Sequence, residues 1–264
     1  MSQGIVASIE CSAEAGWELA VAPADYEHAL DALRQYRFEN RRWPWRRELF
    51  ESGPLFDWSG VAWGFLVCFF YLLSVKGADI VAVGLMDSVA VRNGQWWRLF
   101  TAIWLHADLA HLAGNATFGI VLLGLAMARY GSGVGLLASY LAGVAGNLTA
   151  LILSVHPHHS LGASGMVMGA LGLLAVHSFD LWRRIPQAAK HVATRLVGGL
   201  MLFILLGVAP GTDILAHLGG FITGICLGTL VNMGRNLLQK TEVNLVSGML
   251  FAFLVGWPWW LAMH

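Results

Sequence analysis

One serine in this chain stands between glycines at the head of an apolar run, Leu161-Gly162-Ala163-Ser164-Gly165-Met166-Val167-Met168-Gly169. A hydroxyl in that place has two readings. It caps a helix, the commonest fate of serine at a helix start, or it is a nucleophile activated by a neighbouring base. The second reading needs an imidazole, and Ala216-His217-Leu218-Gly219-Gly220-Phe221-Ile222-Thr223-Gly224 offers His217. Gly220 and Gly224 follow His217 by three and seven residues, so they share its helical face. Gly165 and Gly169 form a matching stripe directly after Ser164. Helices that meet glycine to glycine approach to backbone contact, which would bring Ser164 Oγ and His217 within hydrogen-bond reach. The alternative is two unrelated packing motifs and a histidine bonded to a carbonyl. Both polar residues lie in the first turns of spans running in the same direction, and that agreement in face and depth favours the pair. Ser164 would also face the free N–H groups and positive dipole end of its helix, which stabilise a developing anion. Gly162 and Gly165 leave room for a substrate backbone.

A second constellation runs from Trp97-Arg98 to His106, Asp108, His111 and Asn115. His111 and Asn115 are four apart and project from one helical face. Asp108 reads as the cap of that helix, with His106 just ahead of it. An imidazole N–H and a side-chain amide aimed at a serine are what an oxyanion hole requires. A zinc site is the competing reading. It wants histidines four apart around a glutamate, whereas His106 and His111 are five apart and about 140° around a helix. No metal and no cofactor is expected.

The elements that position these residues follow from composition. The chain of 264 residues is 57% hydrophobic and 12% charged, half the charged share of an ordinary soluble domain, so its solvent is largely lipid. Spanning helices need roughly 20 apolar residues. The pattern predicts them near Trp58–Val75, Leu109–Ala128, Gly133–Ser154, Ser164–Phe179, Leu196–Val208, Ile214–Met233 and Val246–Ala262. No cleavable signal peptide is expected, since the first such run begins near Trp58. Most cationic residues, from Arg34 through Arg47 and then Arg129, Arg183, Arg184, Lys190, Arg195, Arg235 and Lys240, fall on one side; Lys76, Arg92 and Arg98 fall on the other. The positive-inside rule then makes the N-terminus cytoplasmic, with Trp257-Pro258-Trp259-Trp260 in an outer aromatic belt. Residues 1–56 read as a small cytoplasmic α+β segment, with strands Ile5–Glu10 and Trp17–Val21 and an amphipathic helix Asp25–Phe38 carrying Ala29, Leu30, Leu33 and Tyr36 on one face. The connector from Val75 to Trp97 is expected to pack at the outer surface. The loop His156-Pro157-His158-His159 is read as exposed and polar, in preference to a metal or pH-sensing site. His177 is expected to snorkel to the cytoplasmic interface. Cys11, Cys68 and Cys226 form neither a disulfide framework nor a ligand cluster. No basic patch with interleaved aromatics points to nucleic acid.

Trp97-Arg98, then His106/His111/Asn115, then Gly162-Ala163-Ser164-Gly165, then Ala216-His217 with Gly220 and Gly224, taken in this order on spans two, four and six, resemble the rhomboid family of intramembrane serine proteases. The resemblance covers roughly Trp58 to Met233. It implies an all-α polytopic membrane protein with a six-helix core (57–234), preceded by the N-terminal segment (1–56) and followed by a linker and an extra C-terminal span (235–264). It implies Ser164 as nucleophile, His217 as general base, and an oxyanion hole from His111, Asn115 and the Ser164 backbone N–H, with His106, Gly162, Gly165, Gly220, Gly224, Trp97 and Arg98 in support. The expected activity is endoproteolysis in or near spanning segments of membrane-anchored proteins, in a bacterial cell membrane, from a site opening to the extracytoplasmic side. The implied partners are transmembrane protein substrates and the bilayer. The alternatives are a non-catalytic binder of the same fold that escorts membrane proteins, and a transporter; the latter would place its polar groups at the midplane.

Overall fold

In the computed structural model the described residues are 5–12, 16–39, 56–76, 79–184, 194, 197–199, 212–234 and 240–264. The chain divides into two compact units, Met1–Ser52 and Gly53–His264. In the first, strands β1 (Ala7–Ser12) and β2 (Gly16–Val21) pair antiparallel, Ala7 opposite Val21 and Ser12 opposite Gly16. A 3₁₀ turn at Pro23–Asp25 leads into α1 (Tyr26–Glu39). Of the face expected to be apolar, Ala29 is buried while Leu33 and Tyr36 are exposed.

The second unit is a helical membrane protein. Its long helices are α2 (Ser59–Val75), α6 (Leu109–Tyr130), α7 (Ser132–Leu153), α8 (Ser164–Arg184), α9 (Ile214–Met233) and α10 (Thr241–Met263). Four of them, α6, α7, α9 and α10, are long and apolar enough to cross a membrane; Ser59–Val75 and the apolar stretch Ser164–Phe179 are shorter. The span expected at Leu196–Val208 lies almost wholly outside the described residues. The connector after α2 folds into α3 (Ile80–Gly84), β3 (Met86–Asp87), α4 (Ser88–Arg92), α5 (Arg98–Thr101) and a 3₁₀ turn at Ala102–Trp104. It packs on the bundle, with Ile103, Trp104 and Leu105 fully buried.

Helix starts in this unit obey local chemistry. Asp108 Oδ1 accepts His111 N at 2.8 Å, and Asp213 Oδ1 accepts Ala216 N at 3.0 Å, satisfying N–H groups that a helix leaves orphaned. Helix α7 has no such residue of its own: Gly131, at φ 96°, sits in its cap position. Its first N–H groups go instead to Asn244 Oδ1, from Gly133 at 2.8 Å and Val134 at 3.2 Å. The C-terminal helix thus supplies the cap of another span. Asn244→Ala should lower stability by about 1–2 kcal/mol, whereas Asn244→Asp, which keeps the acceptor and favours the dipole, should not. Thermal unfolding of the three proteins in detergent reads this out.

Helix α10 is bound in at its far end too. Pro258 has no N–H, so the Leu254 carbonyl loses its helical donor, a loss that lipid cannot repair. The Tyr140 hydroxyl lies 3.3 Å from Leu254 O and equally close to Phe100 O, and it receives Trp104 Nε1 at 3.4 Å. Trp259 is buried and stacks on Phe70 with centroids 5.1 Å apart. The expected aromatic belt is corrected in this respect: Trp257 and Trp260 are exposed, but Trp259 belongs to the core. The freed carbonyl finds a hydroxyl inside the bundle, and the Trp259 ring finds the Phe70 face there, although its buried Nε1 has no hydrogen-bond partner among the described residues.

His177, part-buried near the end of α8, accepts a hydrogen bond at Nδ1 from Arg129 Nε at 2.7 Å, joining α8 to α6.

Candidate active site

Helices α8 and α9 cross at their glycines. A Cβ on Gly220 would stand 2.3 Å from Gly165 O, and one on Gly224 would stand 2.2 Å from Gly169 O. Any side chain there would force the backbones apart, so glycine alone permits this approach. Helix α7 joins through glycines of its own: Gly143 lies against Met166, and a Cβ on Gly146 would meet Ala216 O at 2.4 Å. The Gly143/Gly146 stripe is a further functional feature of the sequence, legible only in its small-residue spacing.

At the end of this crossing, Ser164 Oγ and His217 Nε2 are 2.6 Å apart, across 53 residues of sequence. His217 is 2% exposed and Ser164 is half-buried. When the imidazole carries its proton on Nδ1, the serine hydroxyl donates to Nε2; this is the tautomer able to take the serine proton. Ser164 is the first residue of α8, beside that helix's unpaired N–H groups.

His111 and Asn115 come to the same place from α6. A Cβ on Gly162 would lie 2.8 Å from His111 Nε2 and 3.7 Å from Asn115 Nδ2, so both nitrogens face the backbone just ahead of Ser164. One Asn115 amide hydrogen is used on His111 O at 3.0 Å, which orients the group and leaves its second hydrogen for a ligand. Gly162 itself has φ 128°, a conformation that favours glycine. Its N–H donates to Ala102 O at 2.9 Å, so the buried turn 102–104 holds the approach to the serine.

His106 stands behind this wall. Its ring meets that of His111 edge-on at 5.1 Å, and its Nε2 accepts Ala163 N at 3.4 Å. Burial lowers the His106 imidazole from the usual 6.5 to about 4, and the nearby His111 adds to the effect. The neutral ring is the folded form, since a proton on Nε2 would oppose the Ala163 N–H. Between pH 6.5 and about 4 the unfolded chain therefore binds the proton first, so stability falls as pH falls and levels off below. The fall should amount to about 3 kcal/mol and shrink in His106→Asn; unfolding in detergent across that pH range measures it.

Trp97 and Arg98 lie in the connector and serve it. Arg98 is buried and donates to Gln95 Oε1, Leu85 O and Ala82 O at 2.6, 2.8 and 3.0 Å, binding α3 and α5 into one piece. Asn147 on α7 donates to Leu99 O at 2.8 Å in the same connector.

In the polar loop before Ser164, His156, Pro157 and His159 are exposed as expected, whereas His158 is part-buried with Nε2 2.6 Å from Asp213 Oδ2; the exposed His159 Nε2 lies 3.4 Å from Asp87 Oδ2. Residues His159–Ser160 form β4, paired antiparallel with β3. The backbone N–H groups of Ala90 and Val89, together with His159, hold the Asp87 carboxyl below its ordinary range against a smaller cost of desolvation. No group of three or more potential metal ligands occurs among the described residues.

A helical membrane protein with a part-buried serine–histidine contact, and two further polar side chains beside the serine, defines a class in which acyl-transfer chemistry is possible. A rhomboid domain profile matches residues 93–234, more than half of the chain. The chain belongs to the rhomboid family. It is similar to the "Rhomboid protease GluP" of Bacillus subtilis, with 33% identity over 67% of this chain and 35% of that protein. It is also similar to "RHOMBOID-like protein 4" of Arabidopsis thaliana, with 33% identity over 60% of this chain and 40% of that protein. With "Rhomboid-like protease 3" of Toxoplasma gondii it shares 28% identity over 56% of this chain and 56% of that protein. The chain thus spans between about a third and somewhat over half of the length of these curated relatives.

Proposed function

We propose that this rhomboid-family protein is an intramembrane serine endopeptidase that hydrolyses peptide bonds in or near the spanning segments of membrane-anchored proteins. The observation that carries the reading is the 2.6 Å contact between Ser164 Oγ and His217 Nε2. Ser164 attacks the scissile carbonyl while His217 takes its proton and later returns it to the leaving amine. His111, Asn115 and the Ser164 backbone N–H bind the oxyanion, where donors fixed beforehand in a dry site are most effective. Water then hydrolyses the acyl-enzyme. A substrate helix must unwind locally first, because lipid does not replace its backbone hydrogen bonds. Residues 57–234 form the catalytic core, with 1–56 and 235–264 outside it. The cation distribution supports a cytoplasmic N-terminus and a site opening to the extracytoplasmic side.

The test is cleavage of a single-span model protein in liposomes by the purified full chain. Cleavage within or beside the span, lost in both Ser164→Ala and His217→Ala, is the expected result. Undiminished cleavage in Ser164→Ala would overturn the assignment.

A further inference from the structure

The segment between α7 and Ser164 is held from two sides. On one side it joins the connector: β4 pairs with β3, Ser88 N donates to His158 O at 3.0 Å, and His158 N donates to Ser88 Oγ at 2.9 Å. On the other, the His158 side chain reaches Asp213, which precedes the helix of His217. The two carboxylate oxygens of Asp213 are divided. Oδ1 accepts Ala216 N at 3.0 Å, and Oδ2 lies 2.6 Å from His158 Nε2. The Asp213 carbonyl in turn accepts His217 N at 3.0 Å. One residue therefore touches the loop leading to the serine, the helix cap and the backbone of the histidine.

The glycine crossing alone would not fix the mutual position of Ser164 and His217. Gly220 on Gly165 and Gly224 on Gly169 set how closely α8 and α9 approach, and Gly146 of α7 lies against Ala216 O, but these are contacts of smooth backbone that can slide. The Asp213–His158 contact adds a directional bond at the end where the reacting groups lie. Its side chains are 14% and 25% exposed, so water competes weakly for the bond. Hydrogen bonds that involve a carboxylate are among the stronger ones.

We propose that His158 is a positioning residue, which by clamping Asp213 holds the first turn of α9 so that His217 stays within bonding distance of Ser164. This rests on the reading of Ser164 and His217 as the reacting pair. The His158 Nε2 is engaged by Asp213, and a residue that acts only through that contact should weaken turnover on its loss and leave substrate binding nearly unchanged. A displacement of about 1 Å between reacting groups costs up to about a hundredfold.

The experiment measures kcat and KM in liposomes for the wild type, His158→Ala, His158→Gln and Asp213→Asn, with Ser164→Ala as the blank. His158→Ala should lower kcat by about ten- to a hundredfold with KM within about twofold. Glutamine presents an amide N–H close to the position of Nε2, so His158→Gln should recover most of the loss. Asp213→Asn retains one acceptor of the two and should fall as His158→Ala does; combining the two changes should cost no more than the worse one alone. Should His158→Ala fail to fold, Asp213→Asn against His158→Gln decides in the same way. Wild-type kcat in His158→Ala or in Asp213→Asn would overturn the clamp, as would equal losses in the alanine and glutamine variants. Persistent cleavage by Ser164→Ala would instead strike the assigned nucleophile, so the two failures are distinguishable.

Discussion

Ser164→Ala is expected to lose at least about a thousandfold of its proteolytic rate while keeping its fold. The substitution removes one oxygen at the head of α8 and leaves the glycine contacts of that helix untouched. What disappears is the atom that would attack. His217→Ala should fall to a comparable level, because a serine without its base is a weak nucleophile. The double variant should be little worse than either single one, since groups that act as a unit are non-additive. Any residue of activity would come from His111, Asn115 and the oriented backbone, which can still polarise a carbonyl. The rates of the three variants, measured beside the wild type in one liposome preparation, check both the size of the loss and its non-additivity.

Gly220→Ala should have the second largest effect, through the fold. The added methyl would sit 2.3 Å from Gly165 O, against backbone that has no side chain to rotate away. The helices must separate, and the cost of forcing atoms into a packed contact reaches about 3 kcal/mol or more. Gly224→Ala, 2.2 Å from Gly169 O, should behave alike. Gly248→Ala is the matched control: its methyl would meet Gly133 Cα at an ordinary 3.9 Å. Its stability should remain within about 1 kcal/mol of the wild type. Unfolding midpoints in detergent separate the two cases. A fall in Gly220→Ala no larger than that in Gly248→Ala would contradict this account of the crossing.

Much of the site could be read from the sequence because its signals are periodic and local. Glycines four apart after Ser164, and three and seven beyond His217, mark faces that only a close helix can cover. Asp108 and Asp213 are cap residues followed at once by apolar runs, and each accepts an N–H three residues on. His111 and Asn115, one turn apart, share a face wherever the helix goes. For the spans within the described residues the apolar runs give helix limits within about five residues of those observed, since lipid selects strongly for length and composition.

The misreadings concern partners brought together by the fold. Nothing near Asn244 in the sequence says that it accepts the N–H of Gly133, 111 residues earlier, in the first turn of another helix. The strands Met86–Asp87 and His159–Ser160 are two residues long and carry no alternation to detect. His156 to His159 look solvated by composition, yet His158 is part-buried against the carboxylate of Asp213, the cap residue of α9. Trp259 follows the same course: its type suits an interface, yet it is buried and stacks on Phe70.

The most direct measurement is covalent capture of the nucleophile. The full chain in detergent is treated with a fluorophosphonate, digested and mapped by mass spectrometry. Phosphonylation on Ser164, abolished in Ser164→Ala and slowed at least about tenfold in His217→Ala, is the predicted result. Labelling of Ser164 that proceeds equally fast without the histidine, or a label carried by a different residue, would contradict the pairing on which the account depends.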